Sequence, residues 1–390
     1  CMATRTVSNK EIEFVEKWLK NNQDSRSETI TKDLEEIIVK EFQTQKVICT
    51  NSAMGSLHLA LQTIGIGPGD EVIVDPIVVF GGMAVMYQNA VPVFADIDLE
   101  TYNIDPKSVS ERITSRTKAI ICTHHFGNIC DMKSISLLAK QHHIPVIEDC
   151  AHALYATQNE KFAGLFGDFG AFSFNHRKQL STGQGGFLLI NSKDYAEKSK
   201  DQGFGRIPAR VTPNYTMSGI VAAIAIAQWE KAKTYVRKDN ELATLYTESL
   251  EDCNWLKPQK IPKENWSPYH IWAATFTGDE YGINYNEFMK ELKKNDADYF
   301  LPSFMPHGAF DLEPSPSYRY PIFSEPSVNW IVSSKYQSLY EGKIDYSKGL
   351  CPNAEYVVPR MLNTTISPVE NERVEIYAKG LRKTIKHFTN

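Results

Sequence analysis

"FGAFSFNHRKQLSTGQGGFLLIN", residues 169–191, sets a lysine between two apolar runs. The first run alternates Phe169, Ala171 and Ser173 with Gly170 and Phe172. The second is the uninterrupted "GGFLLIN" of residues 185–191. Both read as strands, and the short glycine-rich stretch between them brings the second back beside the first as an antiparallel edge. A long cation directly after a buried strand is either a solvated turn residue or a group held in a cleft for its chemistry. Desolvation in a cleft lowers a lysine's pKa and makes it a nucleophile toward carbonyls.

Upstream of this pair, residues 45–190 alternate short apolar runs with amphipathic segments. The runs are "KVICT" (46–50), "EVIVDP" (71–76), "VPVFADI" (91–97), "KAIICTH" (118–124) and "IPVIEDC" (144–150). Their Val, Ile and Phe content with few polar interruptions is that of strands covered on both faces. Helices are expected over 55–64, stopped by Gly65, Gly67, Pro68 and Gly69, and over 131–143. The alternation defines an α/β layer architecture with a mostly parallel central sheet. Residues 218–252 read as one or two long helices leading to a smaller part. The expected division is a large α/β domain over 1–240 and a smaller C-terminal α+β domain over 241–390. A final helix is expected over 367–388, with Ser367 as its cap and Pro368 in its first turn.

Bulk properties narrow the function classes. The 390 residues suffice for a large core, and the net charge of −5 has no long basic run to meet nucleic acid or a membrane surface. The longest apolar stretches, such as "GIVAAIAIA" (219–227), are too short to cross a bilayer. The start, "CMATRTVSNKE", lacks the apolar centre of a secretion signal, and Cys1 ahead of Met2 reads as a cloning remnant. Seven scattered cysteines without C-x-x-C or zinc-type spacing fit reduced thiols in a cytoplasm, and no metal site is expected.

In an open α/β sheet, ligands bind beyond the carboxyl ends of the strands. Four such ends carry unusual residues. "VICTNSAMGS" (47–56) runs into a helix through small residues, whose backbone N–H groups can approach an anion. "DPIVVFGG" (75–82) presents Phe80, which in isolation reads as a core aromatic. "IPVIEDCAHA" (144–153) ends a buried strand in Glu148 and Asp149, with His152 following; Asp149 is either a helix cap or a carboxylate kept ionised by a bound cation. The fourth end carries Ser173 and Lys178. A carboxylate, a lysine and a phosphate cradle at neighbouring strand ends suit an aldehyde cofactor bearing a pyridinium and a phosphate, pyridoxal 5'-phosphate, with Asp149 keeping the ring nitrogen protonated.

These stretches resemble the DegT/DnrJ/EryC1/StrS family of sugar aminotransferases, within fold-type I of the pyridoxal phosphate enzymes. "LHLAL" (57–61), "GIGPGDEVIV" (65–74), "VPVFADIDLETYNIDP" (91–106), "HHFGNICDM" (124–132), "IPVIEDCAHA" and "FSFNHRKQLSTGQGG" (172–186) match in order and spacing, and "HIW" (270–272) and "CPNAE" (351–355) match more loosely. The resemblance implies that Lys178 bonds to the cofactor aldehyde and later shuttles a proton. It implies that Asp149 pairs with the ring nitrogen, His152 contacts the ring hydroxyl and Phe80 stacks on the ring. Ala53, Met54 and Ser173 match phosphate contacts. Asn214 matches an asparagine that reaches the phosphate from the neighbouring subunit, which makes a homodimer with a shared active site.

Departures stand at Ala53-Met54, where the family has Gly-Thr, at Gln184 for Glu, and at Thr216 for Arg. Thr216 and His307, the latter within "FLPSFMPHGAF" (300–310), are the candidate substrate contacts. The activity implied is transfer of an amino group from an amino acid, usually L-glutamate, to a keto group of a nucleotide-linked sugar. The alternatives are a non-nucleotide keto-sugar or cyclitol acceptor, and the family's dehydratase branch. That branch carries His where this chain has Lys178. No G-x-G-x-x-G follows the first strand, which disfavours an NAD-binding enzyme.

Overall fold

A computed structural model of the chain describes residues 7–21, 28–199, 213–302, 313–338, 340–366 and 371–389. Seven strands form the main sheet: β1 (Lys46–Thr50), β2 (Glu71–Val74), β3 (Val91–Phe94), β4 (Thr117–Thr123), β5 (Val146–Asp149), β6 (Phe169–Ser173) and β7 (Gly186–Ile190). Their spatial order is β1-β7-β6-β5-β4-β2-β3. Five strands, β2 to β6, run parallel, whereas β7 is antiparallel to both β6 and β1. The hairpin expected between β6 and β7 is present. The expected edge position is not: β1 lies outside β7, so the antiparallel strand is interior. That placement follows from composition, since Phe187 to Ile190 are fully buried and need cover on both sides.

The strand alternation feeds two cores. Ile120, Cys122, Phe187 and Leu189 face one layer, with Trp18, Leu34, Ile38 and Trp229 from helices α1 (Asn9–Asn21), α2 (Glu28–Phe42) and α6 (Gly219–Glu248). Their neighbours Ala119, Ile121, Leu188 and Ile190 face the other, with α3 (Ala53–Ile64) and α4 (Phe80–Tyr87). Adjacent residues of one strand thus serve opposite layers, which is the period-2 rule applied to a sheet covered twice. Helix α3 begins at the Ser52 cap, whose hydroxyl accepts from Gly55 N, and stops at Gly65 in the left-handed region. Helix α5 (Met132–His142) is capped by Asp131 in the same manner.

Residues 218–252 resolve into one 30-residue helix, α6. Its first half packs Ala222, Ala225 and Trp229 into the main core, and its second half packs Leu242, Ala243 and Tyr246 into a third core. That third core lies on a four-stranded sheet in the order β8 (Leu256–Pro258), β9 (Ile271–Phe276), β11 (Met361–Thr365), β10 (Leu301–Pro302), with α7 (Tyr285–Lys294) and α9 (Asn371–Thr389). The division we propose at residue 240 falls within α6. The segment carrying Tyr318, Phe323 and α8 (Pro352–Val357) returns to the main sheet, where Phe323 meets Phe94 edge-on and Asp96 accepts from Asn353 N and Ala354 N. The caps expected at Ser367 and Pro368 lie outside the described residues.

Glu148 is fully buried. It accepts from Gly164 N, Phe166 N and Gly167 N, and it pairs with His124 Nε2 at 2.9 Å. His124 Nδ1 accepts from Cys130 N, so Nε2 carries the proton and donates to Glu148. These partners use both carboxylate oxygens and both imidazole nitrogens, so the group is a structural knot, although Cys150 Sγ lies within 4.8 Å of it. Replacing Glu148 by Ala strands three backbone donors and a buried imidazole. Chemical denaturation of the Glu148→Ala variant should show a loss of about 3–5 kcal/mol of stability.

Candidate active site

The register of β7 assembles the site. Gly186 is paired with Thr50 of β1 on one side and with Ser173 of β6 on the other. A Cβ at Gly186 would press on Phe172 O and stand 2.8 Å from Ala53 N. Only glycine therefore permits β6, β7 and the start of α3 to approach this closely. The consequence is that Ser173 and the first turn of α3, with Ala53 and Met54, come together at one end of the sheet. That end has two sources of anion affinity, the backbone N–H groups of a helix start and a serine hydroxyl.

Strand β5 ends at the same level. Its alternation sends Glu148 to the knot described above and its neighbour Asp149 to the other face, toward the lysine. Asp149 is 3% exposed and accepts from Ala151 N at 3.0 Å. Burial pushes its carboxyl above the usual range; the Ala151 N–H and the charge of Lys178 act against that. Lys178 sits in the turn after β6, its backbone N donating to Asn175 O. Desolvation lowers its pKa to about 7, with Asp149 opposing and Arg177 adding to the fall. Half of the amines are thus neutral near pH 7, where an ordinary lysine is almost fully charged.

His152 follows Asp149 in the chain and lies over Phe126, with ring centroids 6.1 Å apart and planes 25° from parallel. Its Nδ1 is buried and has no hydrogen-bond partner among the described residues. Desolvation first, and then the charges of Lys178, His270 and His125, push its pKa well below the ordinary value, so the ring is neutral. Phe80 opens α4 and is 47% exposed, which no core aromatic would be. It is aimed by Asp75 at the end of β2. The Asp75 carboxylate accepts from Ile77 N, Val78 N, Thr123 Oγ1 and His125 Nε2. Burial pushes that carboxyl up, but His125 and the hydroxyl and amide donors outweigh it and hold it below its usual value.

The segment of Asn214 and Thr216 runs beside the start of α3: Asn51 N donates to Tyr215 O, and Thr216 forms a bridge with Thr50. Both Asn214 and Thr216 are exposed, and Asn214 Oδ1 accepts from Thr216 N. His307 lies outside the described residues. One site residue escaped sequence reasoning. His270, just ahead of β9, places Nε2 3.3 Å from Lys178 Nζ. Its sequence signals are the loose family match of "HIW" (270–272) and its place against the apolar run "IWAATF", and neither assigns the histidine a role. Five of the cysteines (Cys49, Cys122, Cys130, Cys150 and Cys351) are buried and unpaired, and burial raises each thiol, so none is a thiolate nucleophile.

The chain belongs to the DegT/DnrJ/EryC1/StrS aminotransferase family, whose model matches residues 5–315. It is therefore an aminotransferase, and its cofactor is pyridoxal 5'-phosphate. It is similar to the GDP-perosamine synthase of Escherichia coli O157:H7, at 29% identity over 87% of this chain and 94% of that protein. It is also similar to the GDP-perosamine synthase of Caulobacter vibrioides, at 40% identity over 52% of this chain and 57% of that protein. In fold it matches an aminotransferase structure from Psychrobacter cryohalolentis with a TM-score of 0.83 at 21% identity, covering 100% of this chain and 99% of that one. The site residues fit the cofactor. Asp149 is a buried carboxylate in want of a cation, His152 Nδ1 is an orphaned polar atom, and Gly186 keeps open a cradle that a Cβ would fill.

A lysine depressed to about pH 7 loses its proton well below the range of surface lysines. In the cofactor-free chain, an amine-directed reagent should modify Lys178 ahead of the other lysines at pH 8. The rate at Lys178 should fall as the pH drops through 7 and its amine becomes charged, and the selectivity should fade only toward about pH 10, where the other lysines lose their protons too. Peptide mapping after brief labelling measures both.

Proposed function

We propose that the chain transfers an amino group from L-glutamate to a keto group of a nucleotide-linked sugar, in the cytoplasm, as a homodimer with a shared active site. The observation that carries the reading is the convergence of Asp149, His152 and a Lys178 of lowered proton affinity at one end of the main sheet. The bound cofactor supplies an electron sink for the charge left when a proton leaves the donor's α-carbon.

The chain's own groups do the rest. Asp149 holds the protonated ring nitrogen, and its burial makes that pairing stronger than it would be in water. The N–H groups at the start of α3 and the Ser173 hydroxyl would hold the phosphate, Phe80 would stack on the ring and His152 would meet the ring hydroxyl. Lys178 would hold the cofactor through its aldehyde carbon, and its amine, neutral near pH 7, is the group placed to take a proton from the donor carbon and return it on the other side of the transfer. Thr216, at the position where the family resemblance implies an arginine, and His307 are the proposed substrate contacts. A threonine cannot grip a carboxylate by two parallel bonds as arginine does, so the donor carboxylate requires another partner. Asn214 is the proposed contact to the phosphate of the second subunit.

The purified protein should show a visible absorption band that L-glutamate bleaches and that a nucleotide-linked keto-sugar restores. A keto-cyclitol that restores it equally well would move the acceptor class away from nucleotide sugars. No bleaching by glutamate would remove the donor assignment. Asp149→Asn should retain cofactor but lose on the order of 100-fold or more in turnover, because the ring nitrogen would no longer be held protonated. For the shared site, mixing Lys178→Ala and Asn214→Ala protomers should restore part of the activity that each lacks alone; mixtures no more active than their components would exclude sharing through Asn214.

A further inference from the structure

His270 reaches the site from the second sheet, and none of the roles given to Lys178, Asp149 or His152 uses it. It is 5% exposed. Tyr269, just before it, takes a left-handed backbone (φ 44°) and donates its N–H to Ser267 Oγ, which turns the chain sharply into β9. Gly127, also left-handed, leaves room for Ser267 and Pro268: a Cβ there would lie 3.0 Å from Ser267 Oγ and 3.1 Å from His152 O. The His270 carbonyl accepts from Ile366 N just beyond β11. Its ring lies 4.6 Å from that of His152, tilted by 33°, and His152 is backed by Phe126. Backbone and ring are both held, and the imidazole meets the amine at 3.3 Å.

We propose that His270 is a positioning residue for Lys178, its Nε2 holding the lysine amine by a hydrogen bond while the His152–Phe126 stack holds the imidazole. The proposal rests on the reading of Lys178 as the cofactor-linked lysine. An amine that gives one N–H to Nε2 keeps its lone pair for an incoming aldehyde. The same acceptor also favours the charged amine, as any hydrogen bond to the ionised form does. The groups facing Lys178 are Asp149 from β5, Arg177 from its own turn, His152 from the turn after β5 and His270 from the turn into β9.

The test uses the full-length chain stripped of cofactor, as wild type and as His270→Phe, His270→Gln and Lys178→Ala. Pyridoxal 5'-phosphate is added across a pH series and the rise of the visible band is timed. Binding of pyridoxamine 5'-phosphate, which has no aldehyde for the lysine, is measured in parallel. His270→Phe should capture the aldehyde about tenfold more slowly at high pH, the worth of one ordinary hydrogen bond, and bind the amine form within about twofold of wild type. Its rate inflection should move to lower pH, and His270→Gln should recover part of the rate. An unchanged rate and inflection would overturn the proposal, and so would equal losses for both ligands, which would mark His270 as a packing residue only. A wild type that captures the aldehyde no faster than Lys178→Ala would instead overturn the reading of Lys178 itself.

Discussion

The site depends on one close approach, that of Gly186 to the Phe172 carbonyl and the amide of Ala53. Strand β7 lies between β1 and β6, and Gly186 is its residue in register with both Thr50 and Ser173. The phosphate cradle is therefore a property of strand pairing. A register slip of one residue would separate its two halves and turn Phe187 and Leu189 to the wrong layer.

The acidic residues near the site divide by what surrounds them. Glu148 and Asp149 are adjacent in sequence, yet one has every hydrogen-bonding position filled and the other does not. A satisfied buried carboxylate rigidifies the loop it holds, here residues 164–167. An under-satisfied one is costly until a cation arrives, and that cost is what gives Asp149 its use. Asp75 belongs with the first kind. Its four donors, His125 among them, fix the loop that leads to Phe80.

The second sheet is tied to the first by more than α6. Tyr102 OH pairs with Thr275 Oγ1, Gln259 Nε2 donates to Thr101 O and His125 O, and Asn240 Nδ2 donates to Ser267 O. The last of these bonds holds the turn that carries His270, and the others tie β9 and the segment after β8 to the main sheet's loops. On the far side, Arg112 donates to Leu350 O and Tyr346 to Pro92 O, so the segment around α8 is bound to the edge of the main sheet. The lysine environment is thus set jointly by both sheets.

Sequence alone determined the strands. All seven apolar runs of the main sheet form strands within a few residues of the expected bounds, because a strand covered on both faces must be apolar throughout and leaves a dense local signal. The lysine turn, the acidic strand end and the small residues before α3 were legible for the related reason that each breaks a rule of burial. Tertiary structure decided where those pieces meet. Nothing local indicates that β7 lies inside β1, since an antiparallel return can be an edge or an interior strand with the same residues. Glu148 and Asp149 are alike in type, and only the fold assigns them opposite faces and partners. His270 is separated from Lys178 by 92 residues of chain, and its ring is brought to the amine by pairing in a second sheet, which no pattern near either residue encodes.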